Sequence, residues 1–446
     1  MATPAGSVDY QALEQVMRNK FLVSLAGLAI AFIGFTAATA AVPNPYQWLL
    51  LSKLGAQPNP NLCQDAAAMR RYLNSGGNPN AMTTLGQGST EQEVSLLGCA
   101  NPQVAELLLA QPDLDWYQAL YDAVSRYSGN SGKLTIETLL EKGADVNHKF
   151  ESGKTLLHLA KTQAIAQLLV TKGAEINAKD LNNSTPLHVA ATDATTRNIV
   201  KLLLAQGAEV NARDREGKAP LHAATATIQN TETVKLLLAS GAEARAEAQD
   251  GNTPLHGAAI MRLDVADLLL RQGANPMARR RDGRTPLSLA AEFSSPAMVE
   301  LLLSQGTNVN LPDGYGMTLV HWAARSSQVE ALKLVLAREA DVRVKRKDGM
   351  TPLAIAAQFP DAKGDKIKLL LAQGADVNAE DNQGKTALHH LAATPAIEKR
   401  KAFDLLLAAG AEINAKDRAG NTPIQLAKKA GLQGEISLLR SRGAIE

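Results

Sequence analysis

One short string recurs along most of this chain at nearly constant spacing, and this regularity limits the fold more than any other feature. The string is Thr-Pro-Leu-His or a close variant, and its nine copies are separated by 30, 34, 34, 32, 33, 33, 35 and 36 residues. They begin at Thr155, Thr185, Ala219, Thr253, Thr285, Thr318, Thr351, Thr386 and Thr422. A chain of 446 residues is too long for one ordinary core. We therefore expect a small unit that is repeated.

Each unit carries start and stop signals for two short helices. Thr185 can cap a helix start with its hydroxyl, and Pro186 suits the first helical position because its missing N–H is harmless there. His188 completes the motif. A second string, LLLAQGAEVN, follows, and its Gly207 suits the left-handed residue that ends a helix. The pattern predicts a pair of helices, followed by an Asp-, Asn- and Gly-rich turn that we call a finger.

The motif and its period resemble those of the ankyrin-repeat family, whose unit is about 33 residues with T-P-L-H-x-A opening the first helix. The resemblance covers residues 131–446 and implies an all-α fold with short β-hairpin-like fingers, in which each helix pair stacks on its neighbours as a solenoid. Residues 43–130 are expected to form degenerate repeats, because strings like second helices start at Leu49, Arg70 and Ala105, and another starts at Leu134. About twelve units result, with atypical caps at both ends.

The amino-terminal region, residues 1–42, contains an uncharged stretch of 22 residues at 21–42 that is long enough to cross a bilayer. Arg18 and Lys20 precede it and favour a cytoplasmic amino terminus. One interpretation is an uncleaved signal anchor in the inner membrane. Another is a signal peptide cut near Ala38–Ala41, which fits a start at Met17. A buried helix is the third. The first two place the repeats outside the cytoplasm, in the periplasm or secreted.

Two residue types, histidine and cysteine, could form a metal site or a disulfide. Six histidines hold the fourth motif position, but equivalent atoms of stacked helices lie roughly 8–10 Å apart, too far to share one zinc ion. The family resemblance instead implies that they bridge neighbouring loops by hydrogen bonds. Cys63 and Cys99 occupy equivalent positions 36 residues apart. A disulfide between them suits an exported protein but requires Cα atoms within about 7 Å, so two buried thiols are the alternative.

Basic and aromatic side chains concentrate on three consecutive fingers. These residues are Arg279, Arg280, Arg281, Arg284, Tyr315, Arg343, Lys345, Arg346 and Lys347. Arg and Tyr are common energetic anchors of interfaces, so the three fingers are a candidate partner-binding surface. The alternative is a solvated charged surface that serves solubility.

The chain as a whole is nearly neutral, with 46 basic and 44 acidic side chains. This balance gives no global field for nucleic acid or an anionic membrane. Motifs of hydrolases, nucleotide-binding loops and zinc proteases are absent from the sequence, so we expect no enzyme activity, cofactor or metal. The resemblance implies a monomeric scaffold that binds a partner protein on its concave finger and first-helix side. A targeting or regulatory module of an enzyme or toxin system, and a chaperone-like role without one dedicated partner, remain alternatives.

Overall fold

A computed structural model describes residues 60–85, 92–126, 130–293, 295–395 and 399–445. The apolar stretch at 21–42 and the string at Leu49 lie outside these residues. The chain forms two compact units, Met1–Val146 and Asn147–Glu446, which are described separately. The boundary that the sequence suggested, 130/131, falls at the start of a helix of the first unit. None of the helices in the described ranges has the length and apolar character needed to span a bilayer.

The described residues of unit 1 form three irregular helix pairs and one hairpin. A 3-10 turn at Pro60–Cys63 precedes α1 (Ala66–Asn74), β1 (Met82–Leu85), β2 (Gln92–Ser95), α2 (Leu96–Cys99), α3 (Pro102–Leu109), α4 (Trp116–Arg126) and α5 (Asn130–Glu141). The strings at Arg70, Ala105 and Leu134 lie in α1, α3 and α5, so these helices are confirmed. The antiparallel hairpin, in which Met82 pairs with Ser95, was not predicted.

Unit 2 is a row of helix pairs. Its first helices are α6 (Leu156–Leu159), α8 (Pro186–Ala191), α10 (Pro220–Ala226), α12 (Pro254–Ala258), α14 (Pro286–Phe293), α16 (Leu319–Arg325), α18 (Pro352–Gln358), α20 (Ala387–Ala393) and α22 (Pro423–Lys429). Its second helices are α7 (Gln163–Thr171), α9 (Arg197–Ala205), α11 (Thr231–Ala239), α13 (Leu263–Arg271), α15 (Pro296–Leu303), α17 (Val329–Leu336), α19 (Asp365–Ala372), α21 (Arg400–Ala408) and α23 (Gln433–Ser441). First helices pack on first helices, and second on second. The all-α repeat fold is thus confirmed.

The residues predicted to start and end the helices do so in the structure. Thr185 has extended backbone and is the N-cap of α8, with Pro186 as its first residue. His188 completes a capping box, because its Nδ1 accepts the Thr185 backbone N–H at 3.1 Å. Gly207, after α9, has φ +83, which a β-carbon would strain. Leu187 and Leu203 have no exposed surface and lie in the packed interior.

Each of the six motif histidines joins its own repeat to the next one. Since Nδ1 accepts an N–H, Nε2 carries the proton and donates to the residue before the next motif, as His188 does to the Lys218 carbonyl at 3.0 Å. His158, His222, His256, His321 and His389 make the same bond over 2.9–3.3 Å. This is the role that the family resemblance implied. The bonds hold neighbouring fingers in a fixed register.

Candidate functional site on the fingers and first helices of unit 2

An aspartate shapes each finger of the central repeats, and a backbone bond joins its tip to the next. Asp313, for example, accepts the backbone N–H groups of Tyr315 and Met317 at 2.8 and 2.9 Å. The Gly314 N–H in turn donates to the Asp282 carbonyl at 3.0 Å. The next tips repeat this link, since the Lys347 N–H donates to the Tyr315 carbonyl. The fingers therefore form a continuous rim that is ordered before any ligand arrives.

Four of the predicted partner-binding cations brace this rim. Arg279 donates to the Pro312 carbonyl, Arg281 to Gln249, Arg343 to Gly374 and Lys345 to Glu380, over 2.8–3.1 Å. Each acceptor belongs to an adjacent repeat. These four side chains therefore have a structural role that the sequence analysis did not assign to them.

Arg343 shows how the sequence could have revealed this role. In most repeats an asparagine ends the second string, and its side chain holds the next glycine carbonyl, as Asn211 does with Gly241 at 2.9 Å. Arg343 stands at that position, eight residues before its motif threonine, and bonds the equivalent Gly374. Alignment of the repeats by their motif would have shown the substitution.

The remaining basic finger residues differ in their surroundings. Arg346 pairs with Asp348 at 2.5 Å and also meets the Met350 sulfur, and Arg280 lies 3.7 Å from Asp282. Lys347 is exposed, and so is Tyr315, at 60%. The charge of Arg280 and Arg346 is thus partly balanced within their own fingers.

Arg284 belongs to a different environment from the other finger residues. Its guanidinium lies 4.1 Å from the Trp322 ring and 5.6 Å from the Phe293 ring, and it forms an ion pair with the buried Glu292. Trp322 in turn donates its indole N–H to Asp313 at 3.1 Å. Cation–π contact of this kind strengthens when the pair is desolvated. Arg284 therefore fastens the finger to the first helices α14 and α16.

The same group continues into the next repeat through Arg325. Its Nε lies 3.2 Å from Glu292, and its guanidinium covers the Phe359 ring at 5.2 Å. Phe293 is 55% exposed and Phe359 is 41% exposed. We call this group the Arg–aromatic ridge; its members are Arg284, Glu292, Phe293, Trp322, Arg325 and Phe359.

Sequence reasoning missed most of this ridge, although a signal was present. Aromatic residues make up 4% of the chain, yet Phe293, Trp322 and Phe359 stand in three consecutive repeats. At the Trp322 position two earlier repeats carry small residues, Ala223 and Gly257, and the other six carry an aliphatic residue or histidine. Three aromatic residues in consecutive repeats of a chain with few aromatic residues are the mark of a specialised surface.

A recess lies on the first helices of earlier repeats. It has a volume of about 310 Å³, and small side chains line it where the ridge has aromatic ones. Its apolar lining comes from Val189, Ala223, Ala226 and Gly257, and its polar lining includes Asp214 and Lys218. Unit 2 thus offers a depression followed by a projecting ridge along one set of helices.

The histidines of this surface are buried or held by a carboxylate. Burial lowers the pKa of His256 and of His321 to about 4, so both rings are neutral at physiological pH. His390, which lies off the motif position, is held by Asp381 at 2.8 Å. In the described part of the chain, no group of three or more His, Cys, Asp or Glu residues is arranged to hold a metal ion.

The cysteines belong to unit 1. Cys63 is buried and takes part in a disulfide. The Asn101 N–H donates to the Cys63 carbonyl at 2.9 Å, so the backbone just after α2 lies against Cys63. Ideal stacking had suggested that these segments are farther apart. The side chain of Cys99 lies outside the described residues, so its pairing with Cys63 remains a prediction.

Stacked helix pairs whose fingers are joined by backbone bonds define a helical repeat solenoid. The profile for ankyrin repeats (3 copies) matches overlapping segments at 120–214, 162–248, 187–280, 221–313, 266–346 and 320–417. The chain therefore belongs to the ankyrin-repeat family, whose members generally serve as protein–protein interaction modules. A search of curated proteins found no match.

Proposed function

We propose that this protein is a non-enzymatic scaffold that binds one partner protein on the fingers and first helices of unit 2. The observation that carries the proposal is the contrast along that surface, where a recess of small side chains is followed by the Arg–aromatic ridge. A uniform stack needs no such variation for its own stability. Depressions and exposed aromatic or arginine side chains are the usual anchors of protein interfaces.

The frame that carries this surface supports the proposal. Histidine bonds, asparagine or arginine bonds and finger-tip bonds connect neighbouring repeats in varying combinations, so the surface is held in place without a partner. Binding to a preorganised surface loses little ordering entropy, which favours affinity. Specificity can then reside in finger and first-helix side chains that do not belong to the core.

We extend the proposal to location. The uncharged residues 21–42 with basic residues before them support export, with the repeats outside the cytoplasm as a released or membrane-anchored protein. The disulfide at Cys63 fits an oxidising compartment. Amino-terminal sequencing of protein from its native cells distinguishes the forms, since a start after Ala41 means cleavage and an intact apolar stretch in the membrane fraction means anchoring.

Filling the recess tests the binding surface. Ala223 lines the recess on α10, and an Ala223→Trp substitution would occupy it. We expect the partner recovered by crosslinking in native cells, once purified, to bind this variant at least tenfold more weakly, which corresponds to about 1.4 kcal/mol. Isothermal titration gives the affinity.

The matched control is Ala205→Trp, because Ala205 is exposed and lies on a second helix, α9, outside the lining of the recess. Its affinity should equal that of the unmodified chain. Equal affinity of the Ala223→Trp variant, with its helical circular dichroism intact, would contradict the proposed surface. Recovery of many weak partners in place of one stoichiometric partner would favour the chaperone-like alternative.

A further inference from the structure

We infer that the Arg–aromatic ridge recognises an extended, acidic segment of a partner protein, with a carboxylate held by Arg325 and apolar side chains on Phe293 and Phe359. The inference rests on the proposed function, and it names the chemistry of the partner. Three observations support it: the exposure of the two phenylalanines, the unused donors of Arg325, and the local charge.

The hydrogen-bond donors of Arg325 provide one of these observations. Its side chain is 45% exposed, and Nε is the atom that lies near Glu292. Among the described residues, the two terminal nitrogens of Arg325 have no hydrogen-bond partner. Their geometry suits a bidentate carboxylate. The ring of Phe359 beneath the guanidinium restrains its orientation, so less freedom is lost on binding.

The positive local charge around the ridge provides another of these observations. The finger and first-helix segments 276–293, 308–325 and 341–359 together contain nine basic and five acidic side chains, a net charge of +4. The whole chain has a net charge of +2. The ridge therefore lies within the positive part of a nearly neutral protein. The finger cations that brace carbonyl groups still contribute to this field, which favours the approach of an acidic ligand.

The spacing of the ridge limits the form of the ligand. Phe293 ends α14 and Phe359 directly follows α18, and these first helices belong to repeats two steps apart, with Arg325 in the repeat between them. Helices pack about 8–10 Å apart, so the two rings are separated by roughly 20 Å. An extended chain advances about 3.3 Å per residue, so about six residues span this distance. The ligand should carry apolar residues about six positions apart with an acidic residue between them.

Peptide selection against the unmodified chain and against a charge-reversed variant tests this inference. A display library of random twelve-residue peptides is selected against the full chain and, in parallel, against the Arg325→Glu variant. We expect the first selection to enrich Asp or Glu beside bulky apolar residues. We expect a selected acidic peptide to lose at least tenfold in affinity for the Arg325→Glu variant, by fluorescence anisotropy, and to bind more weakly as salt increases.

The matched control is Arg271→Glu, because Arg271 also pairs with a carboxylate, Asp267, but lies on a second helix. That variant should bind the acidic peptide as the unmodified chain does. Selected peptides without acidic residues, no enriched peptides, or peptides indifferent to Arg325→Glu would overturn the inference. So would equally charge-sensitive binding of a single-stranded oligonucleotide, or dimer formation by the unmodified chain that Arg325→Glu abolishes.

The two proposals can fail separately. If the purified partner is blocked by Ala223→Trp but not by Arg325→Glu, the surface is correct and the acidic segment is wrong. If neither substitution affects the partner, the surface itself is wrong. Phe359→Ala is a second test of the ridge, since it should lower the affinity for the acidic peptide without altering the net charge of the protein.

Discussion

At the scale of single residues, one histidine side chain serves three purposes in six of the nine motif repeats. It accepts the N–H of its own motif threonine, fills space in the interior and donates to the next finger. The first of these requires the neutral ring, since a protonated Nδ1 cannot accept. Burial accordingly lowers the pKa of His158, His188, His222, His256, His321 and His389.

This burial predicts acid sensitivity. A pKa lowered in the folded state means that the unfolded chain binds more protons, so the free energy of unfolding decreases as pH falls below about 6.5. His256 and His321 each have a pKa of about 4, so the protonation of each ring lowers the free energy of unfolding by about 3 kcal/mol in total. We expect the urea midpoint of the protein to fall steeply between pH 6.5 and pH 4.

The last repeat supplies the control for this prediction. Gln425 stands at the histidine position there, and its Oε1 accepts the Thr422 N–H at 2.9 Å without a group that titrates near neutrality. A His256→Gln, His321→Gln variant should therefore show a shallower decline from pH 6.5 to pH 4, whatever its stability at pH 7. If stability declines with pH as steeply as in the unmodified protein, these two rings are not the source of the acid sensitivity.

At the scale of elements, the helices were predictable because their signals are local. A threonine cap, a proline at the first position and a glycine at the end lie within one repeat, and the structure confirms them at Thr185, Pro186 and Gly207. The hairpin of unit 1 was missed because pairing of Met82 with Ser95 depends on residues outside any motif.

The site was less predictable than the fold for a related reason. Its members come from three repeats, and motif reading treats the positions of Phe293, Trp322 and Phe359 as background. The basic fingers were visible as charge runs, but their bonds to carbonyl groups of adjacent fingers depend on packing. Only Arg284, of the nine predicted residues, lies in the ridge that we propose as the recognition centre.

Finger glycines provide a prediction at this scale. A β-carbon on Gly283 would lie 2.3 Å from the Gly314 nitrogen, and its φ is +82. Gly207 has a similar φ of +83, but no atom lies within 4 Å of the corresponding position. Gly207→Ala should cost about 1 kcal/mol from backbone conformation alone. Gly283→Ala should cost at least about 2 kcal/mol, because finger contact is lost as well.

Urea denaturation of the full chain, followed by circular dichroism, compares the two glycine variants. The larger shift of the midpoint should belong to Gly283→Ala. If both substitutions shift the midpoint equally, close contact between fingers does not contribute to stability, and the rigid-rim argument for binding would have to be abandoned.

At the scale of the whole molecule, stability in unit 2 is distributed over repeated interfaces, and the binding surface is built on a subset of them. Every repeat there contributes buried leucines from its second helix, such as Leu203, Leu237 and Leu269. The recess and the Arg–aromatic ridge lie on the fingers and first helices. This separation allows one surface to change without loss of the fold, as expected for a repeat protein.

The most direct test is hydrogen exchange of the full chain with and without its purified partner. We predict slower exchange in the first helices α10, α14, α16 and α18 and in their fingers, with the second helices α11, α15, α17 and α19 unchanged. Protection confined to those second helices, or to residues before Asn147, would contradict the claim that the partner binds on the finger and first-helix surface.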